Sequence, residues 1–337
     1  MKKNRWVNYL FIIAGVFFLV LSIAACERTE YDLLDPESAG IWKQYSTTNS
    51  TLPGNTIYDI DVDQSGNLWA TCYGKGVAIF QSGTWTTYNT SNSYILSNYT
   101  TVLEPVTASL LIGTEYGLSI RLTSGTWQYF SDASVEYMIV NSIKCDSRGN
   151  YWIGTEDEGY YFYNGTYFYH YLSGYDVNAI AEDKSGNIWL GTDHGLYKYN
   201  GTHLTTSATP VLNTSNGLTS NSISSLYPDS KGRLWIGYYV SKTASWVDNN
   251  GVNQLNLMDG KETTTIWDIQ EDKKGDIWFA TGGSGLIRYD GVIPHAYKEY
   301  NTPSIDDYIY SICLDLGGNL WIGTRTKGVI KYTLPLE

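Results

Sequence analysis

From residue 41 onward, short apolar segments alternate with turns rich in Asp, Gly, Asn and Ser, and one arrangement of them recurs. Its anchor is a Trp that closes Asp-x-x-Gly-x-x-Trp, at Asp63–Trp69, Asp146–Trp152, Asp183–Trp189, Asp229–Trp235, Asp272–Trp278 and Asp315–Trp321. A worn copy at Leu111-Ile112-Gly113-Thr114 places Leu111 at the Trp position. Nine and twelve residues before the Trp the chain is apolar: Ile60 and Ile57, Ile143 and Val140, Ile180 and Val177. Leu226 and Ile223, Ile269 and Ile266, and Ile312 and Ile309 repeat the pattern. Short apolar runs bounded by turn residues predict buried β-strands. Each repeat therefore reads as an inner strand A, an Asp-x-x-Gly turn, and a strand B carrying the Trp. A Gly-Leu strand C such as Gly195–Tyr199 and an aromatic strand D such as Thr84–Tyr88 follow. In the turn, the Asp carboxylate accepts backbone N–H bonds and the Gly takes a positive φ.

Successive anchors, counting Leu111, lie 42, 41, 37, 46, 43 and 43 residues apart. A period near forty with several strands per unit marks a β-propeller blade. A blade has two apolar faces and must pack against neighbours, which assigns the Trp residues to blade-to-blade burial. The last repeat stops after its strand C at Gly328–Tyr332, whereas Ile41-Trp42-Lys43-Gln44-Tyr45-Ser46 has the look of a strand D with no blade before it. Pairing the two removes both open edges, which are otherwise an aggregation hazard. The expected fold is all-β: one seven-bladed propeller over residues 41–337, closed by an N-terminal outer strand on the last blade.

Residues 1–25 follow a different logic. Lys2, Lys3 and Arg5 precede an apolar stretch at 10–20, and Leu21-Ser22-Ile23-Ala24-Ala25 leads to Cys26. This is the order of a secretory signal, and its end resembles the lipobox of bacterial lipoproteins, with Cys26 as the lipidated residue. Residues 26–40 then read as a lipidated tether, and the remainder as an extracytoplasmic body on the outer membrane or cell surface. Loss of the signal takes away three positive charges and changes the net charge from −12 to −15. So acidic a body argues against nucleic acid as a partner and against basic adhesion to lipid. Cys72, Cys145 and Cys313 fall in different repeats and read as small buried residues, not a disulfide framework. With four His and no Cys-x-x-Cys, no metal site is expected, and no cofactor motif is recognisable. The chain reads as a monomer.

Gly-Asn-Leu-Trp-Ile-Gly-Thr at 318–324, the Gly-Leu strand and the Trp-x-x-Tyr strand resemble two-component regulator propeller repeats. The resemblance covers residues 41–337. It implies a relation to the sensor halves of hybrid histidine kinases, many tied to glycan sensing. The sequence ends at Glu337 with neither a β-sandwich nor a kinase, so no phosphoryl signal is expected from it alone.

In a propeller the B–C and D–A loops share one face, around the channel mouth. Eleven residues before the anchor, blades 6, 7 and 1 carry Trp267, Tyr310 and Tyr58, while blades 2 to 5 carry Thr100, Asn141, Asn178 and Ser224. Ring closure makes the three aromatics neighbours. The B–C loops add Arg325, Lys327, Tyr73 and Lys75 on blades 7 and 1, and Tyr238 and Tyr239 on blade 5. Blades 2 to 4 contribute Glu115, Tyr116, Glu156, Asp157, Glu158, Asp193 and His194. Aromatic faces stack on sugar C–H surfaces and cationic groups hold carboxylate or hydroxyl groups. The arc is thus a candidate binding surface for an acidic or neutral glycan, in a non-catalytic binding or interaction module. Two alternatives remain open. One is a propeller enzyme, a lyase or hydrolase, with a channel-mouth site drawing on His194. The other is an envelope scaffold whose thirty Tyr suit contact with a partner protein.

Overall fold

A computed structural model of the protein describes residues 40–129, 137–199, 208–258 and 263–334. The signal segment, Cys26, the tether up to residue 39 and His203 lie outside the described residues. The described chain forms seven small antiparallel sheets. Blade 1 is Ile57–Val62, Leu68–Cys72, Gly76–Gln81 and Thr84–Tyr88, in the order A to D. Blade 2 is Thr100–Val106, Ser109–Thr114, Gly117–Leu122 and Trp127–Tyr129, and blade 3 is Val140–Cys145, Tyr151–Thr155, Tyr160–Tyr163 and Phe168–Tyr171. Blade 4 shows Val177–Glu182, Ile188–Thr192 and Gly195–Tyr199. Blade 5 is Ile223–Pro228, Leu234–Tyr238, Thr243–Asp248 and Gly251–Asn256; blade 6 is Ile266–Glu271, Ile277–Thr281, Leu286–Tyr289 and Pro294–Tyr297. Blade 7 takes Ile309–Leu314, Leu320–Thr324 and Val329–Thr333 from the end of the chain and Ile41–Tyr45 from its beginning.

That last pairing closes the ring as expected. Ile41 to Tyr45 run antiparallel to Thr333 to Val329, and Trp42 stacks on Tyr332 with centroids 4.1 Å apart. Seven hydrophobic clusters fill the seven junctions between consecutive blades. Each motif Trp sits in such a junction, and Leu111 takes the equivalent place between blades 2 and 3. Burial of large aromatics between sheets is what holds a repeat ring together, since no blade encloses its own core.

The turn chemistry is richer than backbone capping. All six Asp carboxylates accept the indole N–H of their own Trp, at 2.8–3.0 Å. The other oxygen accepts backbone N–H groups of the turn, as Asp146 does from Arg148 and Asn150. The six turn glycines have φ between 77° and 85°. Blade 2 lacks the Asp, the Gly and the Trp together, and its turn is one residue shorter: Val106 pairs directly with Ser109. In every blade the strand A–strand B register breaks near the top of strand A, leaving a bulge aimed at the channel. Cys72, Cys145 and Cys313 are free thiols. Among the described residues no helix is long and apolar enough to cross a membrane.

Candidate ligand site at the channel mouth

The bulges set the geometry of the mouth. Each offers one side chain to a cavity of about 410 Å³ at the centre of the ring: Tyr58, Thr101, Asn141, Asn178, Ser224, Trp267 and Tyr310. Blade 2 corrects the expectation drawn from spacing. Because its turn is a residue short, Thr101 and not Thr100 occupies the ring position; Thr100 is buried and donates to the Gly76 carbonyl. The mouth is therefore half aromatic, on blades 6, 7 and 1, and half amide or hydroxyl, on blades 2 to 5.

The aromatic half is a continuous crescent. Ring centroids step from Tyr239 to Trp267 at 5.6 Å, to Tyr310 at 5.6 Å, to Tyr58 at 4.9 Å, to Tyr73 at 4.7 Å and to Tyr99 at 5.1 Å. Successive planes are steeply inclined, 87° for Tyr239–Trp267 and 89° for Tyr310–Tyr58. The rings thus form walls, not a stack. Opposite them, Asn178 Oδ1 accepts from the Tyr239 hydroxyl at 3.2 Å and from the Asn141 amide at 3.4 Å. Burial, then the Asp176 and Glu156 charges, push the Tyr239 phenol up to about 12, so it stays a neutral donor.

The remaining sequence candidates distribute unevenly. Arg325 and Lys75 are exposed at the rim; Arg325 lies over the Tyr308 ring at 4.8 Å. Lys327 is turned away: its ammonium is bonded to the Pro303 and Ile305 carbonyls and paired with Glu299 at 2.8 Å. Tyr238 is a correction. It lies on the core face of strand B, fully buried, with its hydroxyl on Ser245 Oγ at 2.8 Å, because strand alternation sends Tyr238 and Tyr239 to opposite sides. His194 lies off the cavity, held by Asp193 at 2.7 Å and tilted against the Tyr175 ring. His170 and His295 fall on outer strands.

Sequence reasoning missed the layer just below. Ten residues before the Trp anchors stand Asp59 on blade 1, Asp268 on blade 6 and Ser311 on blade 7, where blades 3 to 5 carry Ser142, Ala179 and Ser225. The signal was the pair of Asp at a position otherwise small and neutral. Ser311 Oγ lies 2.8 Å from Asp59 Oδ1 and 3.2 Å from Asp268 Oδ2. Burial raises both carboxyls, Asp59 to about 6 and Asp268 to about 7, against the backbone N–H bonds that lower them. Asp59, Asp268, Ser311, Ile143, Ile180 and Leu226 also border a second cavity of about 360 Å³, so they mark the waist of the channel. On the far side lie Asp61, Glu104 and Lys144. Burial works against the Lys144 ammonium, but Glu104 at 2.7 Å outweighs it and raises the Lys144 pKa.

The fold and its lined channel define a seven-bladed β-propeller. Four stretches, 135–157, 171–194, 217–239 and 260–283, match the family model described as two component regulator propeller. Each matched stretch ends on the loop just after a strand B. Among solved structures, it superposes on the extracellular domain of a putative hybrid two component system from B. thetaiotaomicron with a TM-score of 0.69 and 21% identity. That match covers 88% of this chain and 42% of the other, so the chain spans less than half of that domain's length. Virginiamycin B lyase from Staphylococcus aureus matches with a TM-score of 0.67 and 14% identity, over 88% of this chain and 100% of the lyase. PorZ, a bacterial surface component of the type-IX secretion system of Porphyromonas gingivalis, gives 0.64 and 18%, over 83% of this chain and 46% of PorZ. At these identities the likeness is one of fold. No curated protein matches the sequence.

Proposed function

We propose that the protein is an extracytoplasmic recognition module, tethered through Cys26 to the outer membrane or cell surface, that binds a saccharide at the channel mouth without transforming it. The observation that carries this reading is the division of one ring of equivalent positions into an aromatic half and an amide-hydroxyl half around a cavity of about 410 Å³. A sugar has the matching two characters, C–H faces for the rings and hydroxyl groups for the amides. The repeat family supports a role in sensing, and the similar B. thetaiotaomicron structure is an extracellular domain of a putative hybrid two component system. A non-catalytic role is supported by the histidines: His170, His194 and His295, the three described, do not line the cavity. The decisive experiment compares Trp267→Ala and Tyr310→Ala with the parent protein on a glycan panel. Loss of binding at unchanged Tm is expected; undiminished binding would remove the mouth from consideration. Activity lost specifically in His194→Ala, with fold intact, would favour a lyase-like enzyme instead. The tether is tested separately, by metabolic labelling with a fatty acid that Cys26→Ala should abolish.

A further inference from the structure

The waist of the channel holds two carboxylates with no cation of their own. Buried charges are normally paired, since an unpaired one loses its hydration without compensation. Asp59 accepts from Ile60 N, Leu103 N and Ser311 Oγ, and Asp268 accepts from Ile269 N, Ile312 N and the same hydroxyl. Ser311 has a single hydroxyl proton and can donate to one carboxylate at a time. The second contact is repulsive unless another proton, or another cation, enters. No ion pair among the described residues reaches Asp59 or Asp268. The charged groups nearby do not supply one. From below, Glu104 adds negative charge, Asp61 is a further buried carboxyl whose pKa burial raises, and Lys144 is already bonded to Glu104. At the rim Arg325 bears on Tyr58 and Tyr310, and Cys313 on the adjoining strand feels both acids as a buried neutral thiol.

We propose that the saccharide recognised at the mouth carries a protonated amine, whose ammonium sits between Asp59 and Asp268 beneath the rings of Tyr58, Trp267 and Tyr310. The assignment rests on the saccharide reading above and narrows it to amino sugars with a free amine. Three features converge on it. Both acids border the same cavity as the three rings, and they lie on the same side of it, on blades 1 and 6 flanking blade 7. The two oxygens that face Ser311 lie at most about 6 Å apart, roughly the span one ammonium bridges with two charge-assisted bonds of 2.7–2.9 Å. The rings of Tyr58, Trp267 and Tyr310 line the same cavity, where a cation within about 6 Å of a ring face gains cation–π attraction. Asp59 Oδ1 and Asp268 Oδ2 each accept one backbone N–H, and the single Ser311 proton fills only one of them. One facing oxygen therefore keeps a lone pair for the ligand, as do Asp59 Oδ2 and Asp268 Oδ1 with one backbone N–H each. The ligand's ammonium takes the place of the proton shared between the acids, and that proton leaves to solvent.

The test uses the full chain and two probes of equal length: a glucosamine oligomer and its N-acetylated counterpart, titrated by calorimetry near pH 6. The glucosamine oligomer is expected to bind at least ten-fold more tightly. Its binding should release protons, read as a heat that varies with the ionisation enthalpy of the buffer. Asp268→Asn should abolish the preference. Should that variant fail to fold, the proton release of the parent protein still decides. Equal binding of the two oligomers without proton release overturns the proposal while leaving a saccharide site intact. Binding of neither also overturns it, and the glycan panel then shows separately whether the mouth takes other sugars.

Discussion

The Asp–Trp bond inside each turn makes a quantitative prediction, and Asp146 with Trp152 is the pair best suited to it. Asp146 is 5% exposed and Trp152 is 1% exposed, so neither can exchange its partner for water. The carboxylate accepts from Trp152 Nε1 at 3.0 Å, Asn150 Nδ2 at 2.8 Å, Asn150 N at 2.8 Å and Arg148 N at 3.0 Å. Burial acts to raise its pKa, and these bonds reverse the effect and leave it below the ordinary value. Asp146→Ala strands a buried indole N–H and releases the turn amides to water. A buried donor left unsatisfied costs about 1–3 kcal/mol, and the lost charge-assisted bonds bring the expected total to about 3–5 kcal/mol. Trp152→Phe removes the donor but keeps most of the ring in its junction. In the double variant the indole N–H no longer exists to be stranded, so the two changes should couple by about 1.5–3 kcal/mol. Urea unfolding of the parent, both single variants and the double variant, at pH 7 and with m-values compared, measures this coupling. A coupling below about 0.5 kcal/mol would refute the claim that the Asp serves the Trp; the motif would then be a turn signal next to an independent hydrophobe.

Three further outcomes follow from the same geometry. Because the folded-state pKa values of Asp59 and Asp268 are raised, to about 6 and about 7, the folded protein binds more protons there than the unfolded chain. Their contribution to stability is complete below pH ~4 and lost as pH rises through ~7, so Tm should fall between pH 5 and pH 8, and Asp268→Asn should flatten that slope. A parent slope of zero would contradict it. Asp63, Asp146, Asp183, Asp229 and Asp315 have lowered pKa values, so their contribution is present above pH ~4 and lost on further acidification; acid unfolding should begin only below that point. Gly328 has φ +82° and an added Cβ would lie 2.3 Å from the Tyr45 carbonyl oxygen at the closing seam, whereas Gly83 has φ +84° and open space. Gly328→Ala should destabilise well beyond the roughly 1–2 kcal/mol of backbone strain expected at Gly83→Ala, as thermal melts of the two would show.

Much of the architecture was legible because each blade repeats the same solution. Strand A at Ile57 and Ile60, the Gly turn, the Trp at the junction and the clasp of Ile41–Tyr45 on Val329–Thr333 are all present as the pattern implied. So is the arc of Trp267, Tyr310 and Tyr58. What failed was reading contact from spacing where the local backbone differs. Tyr238 and Tyr239 are adjacent in sequence, yet the last residue of a strand B still alternates, and one of the two had to face the core. Lys327 was placed at the mouth by its loop, but the Pro303 and Ile305 carbonyls and Glu299 draw its long side chain the other way. The Asp–Trp bond was invisible because a six-residue separation says nothing about which side chains meet until the turn is folded.

The blade 2 shift states the more general lesson. A closed ring of repeats puts equivalent positions at one height, so any asymmetry at the mouth has to come from departures between copies. Equivalence, however, is counted from backbone pairing and not from the anchor residue. With a turn one residue shorter, the pairing of Thr100 with Thr114 places Thr101 in the ring, although distance from Leu111 selects Thr100. Counted by pairing, the seven mouth positions resolve into two opposed halves, and the positions one step below them isolate two acids from five uncharged residues. The repeat itself is sufficient to explain the wheel. Asp59 and Asp268 are not required by it, because Ser142, Ala179 and Ser225 occupy the same place without a carboxylate. The two buried acids under the three aromatic rings bond the Leu103 and Ile312 amides of the next blades, but other blades close without a carboxylate there, and a cationic ligand would offset the desolvation that these two incur.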